Sequence, residues 1–293
     1  MSRMSRKKSK ASTPKAGTPK VATSTSLAGV TATSPMMPVA DVMEQMKSMN
    51  ATNKGVTGSP GLGFDRIEHI AGSTYKDNST VIIIPTRGMI HHRIVSSWLS
   101  LIPPMNQKRA LLIASGHEVG QAYNEMLKNL LGNAEIAKWK YVMTLEDDNI
   151  PPPDAQIRLL ESIEWGGYDA VSGVYFTKGE GANMPMAYGD PEEYRRTGVL
   201  DFKPRNVNDA LKAGQIMPVN GIAMGCALWR MELFRQIAPP WFVTVSDIVE
   251  GKGAVAYTQD LNFCQRAVQQ GKRFAVDLRV RVGHLDINSG IIY

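Results

Sequence analysis

Four consecutive β-branched residues, Val81-Ile82-Ile83-Ile84, constrain the fold more than any other stretch of the chain. A run that is apolar at every position belongs to a strand covered on both faces, as in the centre of a parallel sheet. It stops at Pro85-Thr86-Arg87-Gly88. Residues 89–101 then carry Ile90, Ile94, Trp98 and Leu101 close to helical spacing, until Pro103-Pro104 ends the helix. A second strand is expected over 110–114, ending at Ser115-Gly116, and a helix over 119–131 with Gly132-Asn133 as its stop. Strand 141–145, helix 154–163 and strand 169–175 continue the alternation. Such alternation implies an α/β fold, a mostly parallel sheet flanked by helices. Ligands of such sheets bind beyond the carboxyl ends of the strands.

One strand end carries three acids. Tyr141-Val142-Met143-Thr144-Leu145 runs straight into Glu146-Asp147-Asp148, and Asn149-Ile150 and three prolines turn the chain at once. Adjacent carboxylates repel one another and are best tolerated around a cation, and hard divalent cations prefer oxygen ligands. A solvated acidic turn is the plainer interpretation. The buried-looking strand before the acids favours a metal that also holds phosphates.

Charge is distributed unevenly. Residues 1–40 contain seven Lys/Arg and no acid, so the rest of the chain has 26 basic and 27 acidic residues, a net of −1. The basic balance therefore belongs to the tail, which excludes an argument for a nucleic-acid-binding folded domain from overall charge. Residues 1–75 are expected to be a disordered basic tail and linker, with a short amphipathic helix over 39–49, and 76–293 the folded domain. No apolar run approaches the ~20 residues of a bilayer span, so no membrane span is expected. Two cysteines, Cys226 and Cys264, lack metal-site spacing. They are expected as buried free thiols in a reducing, cytoplasmic setting. No glycine-rich dinucleotide loop or P-loop is present.

In the second half, Gly221 and Gly225 lie in an apolar segment where either a ligand or another element approaches closely. Gly251-Lys252-Gly253 is a candidate mobile lid. Thr258 is expected to N-cap a helix running to Gln270, which places Asp260 in its first turn, where the helix dipole alone would stabilise an acid. Residues 273–277 and 280–284 are expected as the last two strands, ending at His284. His69, His91, His92 and His117 are expected to be structural.

In order along the chain, Ile82-Ile83-Ile84-Pro85-Thr86-Arg87, Ala122-Tyr123-Asn124, Thr144-Leu145-Glu146-Asp147-Asp148, Asn220-Gly221, Thr258-Gln259-Asp260-Leu261-Asn262-Phe263-Cys264 and Val282-Gly283-His284-Leu285 resemble landmarks of the GT-A-fold glycosyltransferases. The likeness is to the large family-2-like group that uses nucleotide-sugar donors, and it covers roughly residues 78–286. It implies a GT-A (Rossmann-like) sheet and hexosyl or pentosyl transfer. Pro85, Thr86 and Arg87 would face the donor base and ribose, with Asn220 and Gly221 also on the donor side. Glu146, Asp147 and Asp148 would form the Asp-x-Asp motif, and Glu146, Asp148 and His284 would hold Mn2+ or Mg2+. Asp260 would be the catalytic base of an inverting enzyme. The chain departs from the family pattern at Glu146 (usually Asp), Gln259 (usually Glu), Tyr123 (often Arg) and Ser115-Gly116-His117, where an acid often meets the base.

Two other classes compete. A sugar-phosphate nucleotidyltransferase uses a related sheet but carries a glycine-rich loop after the first strand, where this chain has Gly88 alone. A non-enzymatic module would bind nucleic acid through the basic tail, with strong salt dependence. The tail could equally bring a polymeric acceptor such as modified DNA to a transferase.

Overall fold

The computed structural model describes residues 76–179, 183–249 and 253–293. All belong to one of the chain's two compact units, Ala71–Tyr293. The expected tail, the 39–49 helix, the linker, His69 and the pair Gly251-Lys252 lie outside the described residues.

Seven strands form the central sheet: β1 (Thr80–Thr86), β2 (Arg109–Ser115), β3 (Tyr141–Leu145), β4 (Ala170–Val174), β5 (Ile216–Val219), β6 (Cys226–Arg230) and β7 (Phe274–Arg281). Their spatial order is β2-β1-β3-β6-β4-β7-β5. β1 pairs in parallel with β2 on one side and β3 on the other. β6 lies antiparallel between β3 and β4, β7 runs parallel to β4, and β5 is antiparallel to β7. The sheet is thus mostly parallel, as the alternation of elements implied. Val81–Ile84 is wholly inaccessible to solvent, which explains a β1 without polar alternation.

Helices α1 (His92–Ser100), α2 (Val119–Gly132), α3 (Ala155–Trp165) and α4 (Gln259–Gln269) flank the sheet. One face buries Ile82, Ile84, Met143, Leu145 and Leu228 with Leu159 and Ile163 of α3. On the other, Trp229 is ringed by Phe234, Phe242, Phe263 and Phe274, with centroids 5.8–6.2 Å away. Its indole N–H donates to the Thr144 hydroxyl at 3.0 Å, so the one polar atom of this cluster is satisfied. Alternate residues of β6 thereby join the two layers, Leu228 to one and Trp229 to the other. Each fully buried aliphatic or aromatic side chain contributes roughly 1.5–3 kcal/mol.

Three local expectations change. The last two strands are one continuous β7 with a register shift between Asp277 and Arg281, after which Gly283–His284 leaves the sheet to pair with Asn149–Ile150. Thr258 occupies the N-cap position of α4 but makes no capping bond from its side chain; its hydroxyl donates to Asp260. Gly253, the last residue of the expected lid, pairs with Val249 in an antiparallel ribbon of Val245–Val249 and Gly253–Tyr257. Cys226 and Cys264 are buried free thiols, and burial pushes the Cys226 thiol up to about 12.

Candidate active site

The sheet topology selects which residues share a rim. β1, β2, β3, β4 and β7 point their carboxyl ends the same way, and antiparallel β6 begins at that rim with Cys226 opposite Leu145. A cleft of about 390 Å³ opens there, lined by Pro85, Thr86 and Arg87 after β1, His117 to Val119 after β2, Glu146 to Asp148 after β3, and Gln259 of α4. The β1 and β3 ends are tied together by the Arg87 backbone N–H, which donates to Asp147 Oδ2 at 3.1 Å. Gly88 donates its N–H to the Thr86 hydroxyl at 3.1 Å with φ of 114°, so a residue with a Cβ is strained at this turn.

Asp148 and His284 meet although they are 136 residues apart: Asp148 Oδ2 lies 3.3 Å from His284 Nε2. The backbone fixes this. His284 pairs with Asn149, and the Leu285 N–H donates to the Asp148 carbonyl at 2.7 Å. On the other side of the ring, Nδ1 lies 3.1 Å from the Phe176 carbonyl. A carbonyl only accepts, so Nδ1 carries the proton. A neutral ring would then turn the Nε2 lone pair toward a carboxylate oxygen. Two acceptors held at this distance call for a proton or a cation between them. The bond to Asp148 accordingly lifts the imidazole above its ordinary range, against the opposing effect of burial.

Carboxylates crowd the same spot. Burial, reinforced first by Asp148 and then by Asp260 and Asp147, holds the Glu146 carboxyl well above the usual carboxylate range. Asp260 is 7% exposed, and burial raises its carboxyl despite bonds from the Thr258 hydroxyl and the Leu261 N–H to Oδ1. Beneath the cluster, the buried phenols of Tyr123 and Tyr175 are pushed up by burial and then by Glu146, with Asp148 and Asp260 adding to it. Asp260 itself does not line the cleft; its neighbour Gln259 does.

The donor set fits a hard divalent cation. Among the described residues, no three His, Cys, Asp or Glu side chains are grouped to hold a metal unaided. Magnesium-type sites are completed by substrate phosphates around one or two carboxylates, so an all-protein cage is not required. The facing acceptors of Asp148 and His284 suit a positive charge shared between them.

Some expected site residues lie elsewhere. Asn220 and Gly221 do not line the cleft. Asn220 is buried with its backbone N–H on the Tyr188 carbonyl, and a Cβ on Gly221 would meet Phe202 and Leu261 at 2.8–2.9 Å. Close approach by other elements, and no room for a ligand, accounts for this glycine. Gly225 is likewise crowded by protein, here by Asn149. Asn124 is a brace: it accepts from the Trp241 and Phe242 N–H groups and donates to the Phe242 carbonyl. Conversely, His117, expected to be structural, lines the cleft, as do Glu118 and Gln259. Its place directly after a β2 carboxyl end was the available signal. His91 does serve structure, its Nδ1 accepting from Arg93 at the start of α1.

No protein-family model and no curated protein matches the chain. Among solved structures it is similar to A197 from STIV, with 17% identity, a TM-score of 0.48, and coverage of 71% of this chain and 85% of that one. It is also similar to GalNAc-T7 with UDP, GalNAc and Mn2+, with 11% identity, a TM-score of 0.43, and coverage of 72% of this chain and 44% of that one. Function is therefore read from the cleft itself. Among the described residues, no helix is long and apolar enough to cross a membrane.

Proposed function

We propose that this chain is a metal-dependent glycosyltransferase of GT-A type, moving a hexosyl or pentosyl group from a nucleotide-sugar donor to an acceptor hydroxyl. The observation that carries the proposal is the contact of Asp148 with His284 at the rim of a cleft that also gathers Pro85, Thr86, Arg87 and Glu146. Asp148, His284 and Glu146 would hold Mn2+ or Mg2+, which when bound neutralises charge on a diphosphate leaving group. Arg87 brings a guanidinium to the same wall, suited to a phosphate or ribose. Asp260 is the candidate general base. Burial makes its carboxylate a stronger proton acceptor, and Thr258 and Leu261 hold its orientation.

A groove of about 740 Å³ between α2 and residues 239–244 shares Glu118 with the cleft and is a place for the acceptor. It is lined by the carboxylates of Glu118 and Glu125 against the single ammonium of Lys128. That balance weighs against a polyanionic acceptor such as DNA lying there, and favours a neutral, hydroxyl-bearing one.

The test is a panel of nucleotide sugars with Mn2+, followed by donor hydrolysis and by thermal unfolding. One donor is expected to raise the unfolding temperature and to be slowly hydrolysed in a Mn2+-dependent way. Release of pyrophosphate from a nucleoside triphosphate and a sugar phosphate, with no response to any nucleotide sugar, would replace the proposal with nucleotidyl transfer.

A further inference from the structure

We infer that Asn149 and Gly225 form a positioning pair that sets the orientation of the Asp148 carboxylate, an inference that rests on the cation reading above. Asn149 follows Asp148 directly and is wholly buried. Its Nδ2 donates to Asp148 Oδ1 at 2.6 Å, which leaves Oδ2 as the oxygen turned to His284. The reverse amide orientation would set Asn149 Oδ1 against the carboxylate, so Asp148 itself fixes which way the amide points, and the buried Oδ1 is left without a partner. A fully buried amide that leaves its acceptor unsatisfied costs stability, and such a cost marks a group retained for something other than packing.

Gly225 makes the arrangement possible. A Cβ there would fall 2.6 Å from Cγ, Nδ2 and Oδ1 of Asn149, a distance no real contact tolerates. The strand cannot step aside, because the Gly225 N–H donates to the Tyr175 hydroxyl at 3.1 Å and its carbonyl accepts from the Glu146 N–H at 3.2 Å. Gly225, directly before β6, thus reserves the space of the amide, and the amide turns the carboxylate. Asn149 and Gly225 act on the cation only through Asp148, as outer partners of a ligand do.

The experiment is a Mn2+ titration, read by electron paramagnetic resonance of the free ion, on the full chain and on Asn149→Ala, Gly225→Ala and the double variant, with thermal unfolding of each metal-free form. Asn149→Ala is expected to weaken Mn2+ binding at least about tenfold. Gly225→Ala is expected to lose both affinity and thermal stability, since its methyl displaces the amide. In the double variant the vacated space accepts the methyl, so stability returns toward that of Asn149→Ala while affinity stays low. Mn2+ binding by Asn149→Ala equal to that of the unaltered chain overturns the inference and leaves the cation reading standing, as does recovery of affinity together with stability in the double variant. Failure of the unaltered chain to bind Mn2+ overturns the cation reading and this inference with it.

Discussion

Asp148 Oδ2 and His284 Nε2 face each other at 3.3 Å with the far side of the imidazole already committed to the Phe176 carbonyl. The ring is thereby held in one tautomer and one orientation, and its remaining nitrogen is aimed at a carboxylate. A histidine serving only to fill a core would not need both constraints. The pair is preorganised for a positive charge, and the backbone pairing of His284 with Asn149 means that assembling it requires no rearrangement when the charge arrives.

If His284 is a ligand as proposed, His284→Ala should weaken Mn2+ binding at least about tenfold and lower transfer in parallel. Raising the Mn2+ concentration should recover part of the activity. Unchanged Mn2+ affinity in the variant, measured by titration of the free ion, would remove His284 from the site.

Glu146→Gln separates the cost of the carboxylate cluster from its use. Glu146 is a desolvated acid beside Asp148, Asp260 and Asp147. Its neutral replacement should make the metal-free protein more stable at neutral pH. It should also reduce the rise in unfolding temperature that Mn2+ gives. Calorimetric unfolding with and without Mn2+, or with chelator, checks both halves; an equal rise in the two proteins would deny Glu146 a part in holding the cation.

If Asp260 is the general base, Asp260→Asn should abolish transfer while leaving donor binding nearly intact. The sign of its effect on stability follows from linkage. Burial raises the carboxyl in the folded state above its unfolded value, so the folded state binds the proton more tightly. Stability of the unaltered chain therefore falls as pH rises from the unfolded value through the folded one, by about 1.4 kcal/mol for each unit of separation. The Asn variant escapes this and should be the more stable protein at neutral pH. The difference should vanish below about pH 4, where the carboxyl is protonated in both states. A variant advantage that persisted unchanged into acid would mean that burial of the charge is not its source.

Asn124→Ala should cost about 1–3 kcal/mol in urea unfolding. The loss would follow from orphaning the Trp241 and Phe242 N–H groups, which Asn124 Oδ1 accepts at 2.8 and 3.1 Å. Because those residues form one wall of the groove beside α2, affinity for the acceptor should fall more than affinity for the donor. An equal loss of both would show that the brace supports the whole cleft.

The chain announces its sheet openly. Val81–Ile84 could only be a strand covered on both faces, and Tyr141–Leu145 running into three acids placed charge at a strand end. Both follow from local rules, in which side-chain periodicity reports burial and strand ends in a parallel sheet share a rim. Thr86, Arg87, Glu146, Asp147 and Asp148 were legible for that reason. His117 carried the same signal, just after β2, although it was expected to be structural; Gln259 carried none, because its place in the cleft depends on how the start of α4 abuts the sheet. Asn220 and Gly221 do not line the cleft, and a glycine gives the same signal whether a ligand or a phenylalanine fills the space above it.

What the sequence alone determined is therefore the parallel strands, their carboxyl-end rim and the acids delivered there, since each depends on residues near one another in the chain. The resemblance to glycosyltransferases had grouped His284 with Asp148, but only the tertiary structure decided how the two meet. That contact depends on the register shift in β7 and on a two-residue ribbon that carries residues 283–284 across to 149–150. Pairing between segments 136 residues apart is set by the packing of the whole sheet, and no local pattern of side chains encodes it.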